Sequence, residues 1–347
     1  MAQMPQRISL SDIARESGYS RAAVSYALRN DSNISKKARE HIQAVAKRMG
    51  YRPDPAIAKL MLRLNGERKQ SPGSRIAFLN VGNRADFIAE TPTLRDFFQS
   101  ARTRAREHGY DCEEFWLHEP GRSPARLANI LEARGIQGIL LGSSGQPDTH
   151  LNFPLEAFSV VTVGYSITSP RLHRVVTHHY ENALLAIRKV REAGYRRIGL
   201  IADPQMEPTM HNLHLAAMLA IQHEWPRKEC VPPCFGLDKL ATWQDKQAPD
   251  VVLNGTVRPT SELHTAGLPE SIPVVSLVPG EGEPAQAGIH VGYDKLGPIA
   301  MNLLADNILH DQFGVPEDSQ IIMVNGTWYD HGALQSPASQ AIEKTAP

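Results

Sequence analysis

The chain has 347 residues, too many for one ordinary core, so about two or three domains are expected. Its formal net charge is zero, yet residues 1–72 carry 14 Lys and Arg against 6 Asp and Glu, and the remainder carries 23 against 31. A basic head on an acidic body places the electrostatic footprint of a nucleic-acid binder at one end. Three cysteines, Cys112, Cys230 and Cys234, exclude a disulfide framework and point to a reducing compartment. No apolar run approaches a membrane span, and the opening MAQMPQR lacks the apolar stretch of a signal peptide. No membrane partner is expected, and the expected location is cytoplasmic.

The first elements follow from end signals alone. Ser9 opens an S-x-x-D capping box with Asp12, and Gly18 closes the helix that begins there. Ser20 follows after a single residue and reads as the N-cap of a second helix, whose Val24, Ala27 and Leu28 share one face. Two short helices joined by a tight Gly-containing turn make a helix-turn-helix. A third helix starts near Ser35, repeats Ile42, Val45, Ala46 and Met49, and stops at Gly50. The outward face of the second helix presents Arg21, Ala22, Tyr26 and Arg29. Arg can grip guanine O6 and N7 bidentately, and Ala can meet a thymine methyl. A plain three-helix domain with a solvated Arg face is the alternative at this point.

Asp54 and Pro55 are a good N-cap and first helical residue. The segment they open is too short to persist alone in water. A polar linker, 67–74, follows.

From residue 75 apolar runs alternate with helical patterns. Strands are expected at 75–81, 111–116, 138–141, 160–163, 198–201, 250–253, 273–277 and 321–324. Helices are expected at 94–108, 125–134, 181–193, 211–223 and 296–310. This alternation predicts βαβ units with parallel sheets in two doubly wound lobes.

Several spaced motifs, in order, carry a resemblance. L-S-D-I-A-x-x-S-G-Y-S-x-A-A-V-S-Y-A-L-R-N, then I-S-K-K-A-R-E, then G-Y-R-P-D, resemble the DNA-binding headpiece of the lac repressor family of bacterial regulators. The match covers nearly all of 7–64. The resemblance implies that Arg21, Ala22 and Tyr26 read bases and that Ser20 and Ser25 position the backbone. Ala23 and Tyr26 depart from the residues usual there, Thr and Arg. It also makes 54–62 a hinge helix that forms on DNA and pairs with its partner's copy, with Leu60 as an apolar wedge in the minor groove.

G-I-x-G-I-L-L-G, V-V-T-V-G-Y and A-G-Y-R-R-I-G-L-I resemble the regulatory core of the same family. The implied fold is periplasmic-binding-protein-like, with a ligand between two lobes and three chain crossings. The crossings are expected near 175–178, 288–291 and 318–320. The implied class is α/β, an all-α headpiece on a two-lobed core. The implied domains are a headpiece at 1–53, hinge and linker at 54–72, core at 73–335 and a disordered tail at 336–347.

Ligands of open α/β sheets bind beyond the carboxyl ends of strands. Effector-contacting candidates there are Asn83, Ser143, Tyr165, Tyr180, His214 and Asn254, with Val278 and the loop 142–144 beside them. The family commonly holds sugar hydroxyls with an Arg and an Asp; His214 and Val278 stand at those two places.

His178 with His179, and His211 with His214, could mark a metal or pH-sensing site, but no H-x-x-x-H or HExxH spacing supports one. No G-x-S-x-G, P-loop or G-x-G-x-x-G after a strand is present, and the Gly/Ser loop 142–145 lacks the Lys of a phosphate cradle. Catalytic residues, metal and cofactor are therefore not expected.

The expectation is a homodimeric DNA-binding transcriptional regulator, a repressor by default. Its partners are a pseudo-palindromic operator in double-stranded DNA and a small-molecule effector such as a sugar. A cytoplasmic small-molecule-binding protein and an enzyme using the cleft are the alternatives.

Overall fold

The computed structural model describes residues 8–28, 34–51, 74–278, 287–332 and 334. The chain divides into two compact units, Met1–Lys69 and Gln70–Pro347. The expectations for Arg29, for the hinge with Leu60 and for the tail lie outside the described residues.

In the first unit, α1 (Leu10–Ser17), α2 (Arg21–Leu28) and α3 (Lys36–Arg48) enclose a core of Ile13, Val24, Ala27, Ile42, Val45 and Ala46. Both halves of the Ser9/Asp12 capping box are made, and Gly18 takes φ 73° at the helix end. The Ser20 hydroxyl accepts the N–H of Ala23, and the Ser35 hydroxyl that of Ala38. Gln43 Nε2 donates to the Ala27 carbonyl at 2.8 Å, tying α3 to the end of α2.

The second unit holds two six-stranded sheets. One runs β13-β7-β5-β3-β1-β2, with β1 (Arg75–Asn80), β2 (Asp111–Trp116), β3 (Gly138–Leu141), β5 (Ser159–Val163), β7 (His173–Thr177) and β13 (Ile321–Val324). The other runs β14-β12-β11-β10-β8-β9, with β8 (Ile198–Ala202), β9 (Cys234–Phe235), β10 (Val251–Asn254), β11 (Val274–Ser276), β12 (Ala287–His290) and β14 (Thr327–Asp330). A two-stranded pair, β4 (Thr149–His150) and β6 (Ile167–Ser169), sits beside the first sheet's loops. The central strands β3, β5, β8 and β10 are buried throughout, as strands covered on both faces must be.

In the first lobe, helices α4 (Phe87–Glu90) and α5 (Pro92–Glu107) precede β2, and α6 (Pro124–Ala133) precedes β3. The second lobe carries α7 (His179–Glu192), α8 (Leu213–Gln222), α9 (Leu240–Gln247) and α10 (Thr260–Thr265). The chain then returns to the first lobe as α11 (Tyr293–Leu309), which packs on α5. Gly297 allows this approach: a Cβ there would stand 2.5 Å from the Phe97 carbonyl oxygen and the Ala101 nitrogen.

Among the described residues three crossings join the lobes, at His178, at Val291–Gly292 and at Asn325–Gly326. The first two fall close to the expected places. The third does not: 318–320 precedes β13, which pairs in parallel with β7 and so still belongs to the first lobe. The chain leaves that lobe only after Val324. Nor is the second sheet wholly parallel, because β14 returns antiparallel to β12. β14 follows β13 of the other sheet after only Asn325 and Gly326. Gly326 makes the short passage fit: a Cβ would stand 2.4 Å from Ile289 Cγ2, and its N–H donates to Asn182 Oδ1 at 2.8 Å.

Candidate functional site

Two surfaces are candidates, one on each unit. On the headpiece, burial of Val24 and Ala27 fixes which way α2 faces. Ser20, Arg21 and Ala22 are exposed at its start, and Ser25 and Tyr26 are half-buried one turn on. Lys36 and Lys37 stand exposed in the first turn of α3. The Tyr19 and His41 rings lie 6.0 Å apart. A helix start held by a side-chain cap, with an Arg and a small apolar residue outward, has the chemistry to enter a major groove.

On the core, the strand ends of both lobes converge on one cavity of about 700 Å³. The first lobe contributes Phe87, Thr93, Ser143, Tyr165 and Thr177, each on α4, α5 or a segment at the carboxyl end of a strand. The second contributes His179, the 203–210 segment after β8, and Val257 after β10. Tyr293, at the start of α11, packs against the cores of both lobes. Its hydroxyl pKa is pushed up to about 12 by burial.

Of the six residues expected to contact effector, Ser143 and Tyr165 line this cavity and four do not. Asn83 is exposed beyond the end of β1. Tyr180 packs against the core of the second lobe. Asn254 is buried in a turn: its Nδ2 donates to the Arg258 carbonyl, and its Oδ1 accepts from Thr256 N and Oγ1. Asn80 ends β1 the same way, donating to Arg84 and Ala85 and accepting from Gly82. His214 is fully buried behind the wall, with Nδ1 3.2 Å from Glu207 Oε2. Val278, buried, is not on the wall either.

His179 is the wall residue that His214 supports. The two rings meet edge to face at 5.0 Å. Burial, then the neighbouring His214 and His178, hold the His179 imidazole well below its ordinary pKa, so it is neutral. Burial also raises the Glu207 carboxyl, but the hydrogen bond and charge of His214, with backbone N–H donors, bring it below its ordinary range. Of the two sequence-neighbouring His pairs only His179 and His214 meet; His211 turns to Tyr165, and His214 Nδ1 to Glu207. Among the described residues no three His, Cys, Asp or Glu side chains are grouped to hold a metal ion. No described helix is long and apolar enough to cross a membrane.

Sequence reasoning missed Asp203, Thr177, His179 and Phe87 on the wall. Asp203 could have been found, since it stands directly after the β8 run. Phe87 could not, because nothing local places a short helix across the cleft.

Residues 9–54 match the family described as bacterial regulatory proteins, lacI family. The HTH-type transcriptional repressor PurR of Haemophilus influenzae is 22% identical over 339 residues, covering 90% of this chain and 95% of the relative. The structure of a transcriptional regulator CelR–cellobiose complex aligns with TM-score 0.53 and 18% identity over 94% of this chain and all of that one. The lac repressor dimer bound to operator and the anti-inducer ONPF aligns with TM-score 0.51 and 16% identity over 95% of this chain and all of that one. At those identities the structural likeness speaks for the fold. The family match is confined to the headpiece: residues 9–54 carry the lacI-family pattern, and most of the chain is similar to a repressor at 22% identity.

Proposed function

We propose that this protein is a sequence-specific DNA-binding transcriptional regulator, a repressor, whose operator affinity is set by a small molecule bound between the lobes of the core. The carrying observation is α2 itself: capped by Ser20, buried along Val24 and Ala27, and presenting Arg21 and Ala22 to solvent. In this reading Arg21, Ala22, Tyr26 and Arg29 face base edges, Ser20 and Ser25 hold the phosphate backbone, and Leu60 is the minor-groove wedge. The chain is organised as headpiece 1–53, hinge and linker 54–72, core 73–335 and tail 336–347. Ser143 and Tyr165 contact effector, joined by Thr177 and His179. Asn83, Tyr180, His214 and Asn254 stand outside the wall.

A two-fold pair of headpieces reads two half-sites, so the working unit is a homodimer on a pseudo-palindromic operator. An effector that favours one lobe arrangement over another changes DNA affinity, and DNA changes effector affinity by the same factor. The relatives are named as transcriptional repressors and regulators, which supports regulation over catalysis. A gel shift with a random-sequence duplex pool tests the reading. Retarded DNA that enriches to a motif supports it, and a protein that retards no DNA refutes it.

A further inference from the structure

Among its described lining residues the cavity between the lobes lacks positive charge. None of its described lining residues is Lys or Arg, and Asp203 is the one carboxylate among them. His179 on the wall is kept neutral by its burial. The buried guanidinium of Arg174, beside Tyr165, donates to the Gly164 and Ile167 carbonyls at 3.3 and 2.8 Å and is absent from the wall. The Gly/Ser loop 142–145 offers little to an anion either. The N–H groups of Ser144, Gly145 and Gln146 already donate to the hydroxyls of Ser166, Ser143 and Ser144. A phosphate or carboxylate entering here would meet Asp203 with no counter-charge, and its desolvation would go uncompensated.

The same features suit a cation. Asp203 follows β8 directly. Its Oδ1 takes the N–H groups of Gln205 and Met206 at 2.8 and 3.2 Å, and Oδ2 has no part in that turn. Phe87, Phe97, Tyr165 and Tyr293 supply aromatic wall. An ammonium gains both from a charge-assisted bond to a carboxylate and from the negative face of an aromatic ring. We propose that the cavity takes an amine-bearing cation with an apolar or aromatic body, its ammonium on Asp203 Oδ2 and its body against the aromatic wall. This rests on reading the cavity as the effector site.

Three near-isosteric probes test it on the full-length protein: benzylamine, benzyl alcohol and benzoate, titrated by calorimetry at fixed ionic strength. Benzylamine is expected to bind about fivefold to tenfold tighter than benzyl alcohol, with benzoate weakest. Asp203→Asn keeps the turn's acceptor, so the fold is retained while the amine falls to the level of the alcohol. Asp203→Glu restores part of the preference. Benzoate or benzyl alcohol binding as tightly as the amine, an unchanged preference in Asp203→Asn, or binding by none of the three would overturn the proposal. Parallel DNA titrations separate it from the effector reading. Amine binding that depends on Asp203 but leaves DNA affinity unchanged supports the charge preference and removes the effector role. A neutral probe that binds best and shifts DNA affinity does the reverse.

Discussion

The Tyr165 ring of the first lobe lies 4.8 Å from the His211 ring of the second, centroid to centroid, with the planes tilted at 42°. This contact joins the lobes beside the cavity that Tyr165 lines. The backbone presenting His211 is strained, because His211 and Asn212 both take φ 56° in the left-handed region. Glu207 holds that bend: its carbonyl accepts from Asn212 at 2.9 Å and its Oε1 from Leu215 N at 3.0 Å. Tyr165→Ala should remove an aromatic pair worth about 0.5–1.5 kcal/mol and loosen the bend. Hydrogen exchange of the free protein should then quicken through 203–212. Unchanged exchange would mean that the contact does not restrain the second lobe.

The buried His179 makes stability depend on pH. Its folded pKa is well below the ordinary 6.5, so as pH falls below that value the unfolded chain takes up a proton that the native chain refuses. Stability is therefore highest above that range and declines with acidification. The Glu207 carboxyl, held below its ordinary 4.5, adds a further loss at lower pH as it is protonated. His179→Phe should flatten the fall in core Tm between about pH 7 and about pH 5, leaving the steeper acid limb in place. Parallel wild-type and variant melts across that interval check this; identical slopes would assign the dependence elsewhere.

Arg21 and Lys36 should separate specificity from general affinity. Arg21→Ala is expected to cost about 1–3 kcal/mol on operator and little on random DNA, whereas Lys36→Ala should weaken all sequences alike. Titrations of each variant on both DNAs distinguish the two. Equal losses on operator and random DNA for Arg21→Ala would take base reading away from that position.

Gly326 sets the passage between β13 and β14. In Gly326→Val the first added carbon would stand 2.4 Å from Ile289 Cγ2 and 2.8 Å from the His290 carbonyl oxygen. Overpacking of this kind costs about 1–3 kcal/mol, read as a lower urea midpoint for the core. A midpoint equal to wild type would show that the third crossing has room to spare.

The headpiece was legible in the sequence because its signals are local. Ser9, Gly18, Ser20, Ser35 and Gly50 each mark a helix end within a few residues of the groups they satisfy. The long runs at 138–141 and 198–201 declared buried strands in the same way. What failed was non-local. Strands β7 and β12 were not expected, because a short strand beside a crossing carries the same apolar pattern, and the third crossing was placed before β13 instead of after it. Asn254 was placed on the cavity by its strand end, but its side chain is used by the turn at Thr256 and Arg258. His214 stood one ring too deep, behind His179. Which of two adjacent residues reaches a cavity depends on how two lobes meet, and no local pattern records that.

The central claim is that α2 reads a DNA sequence for a two-fold assembly. Site selection by the full-length protein from a random duplex pool tests it most directly, with Arg21→Ala selected in parallel. The account predicts enrichment of a two-fold-symmetric motif, with one symmetry-related pair of positions losing its base preference in Arg21→Ala. Recovery of no motif above background, or of the same motif undiminished by Arg21→Ala, would contradict it.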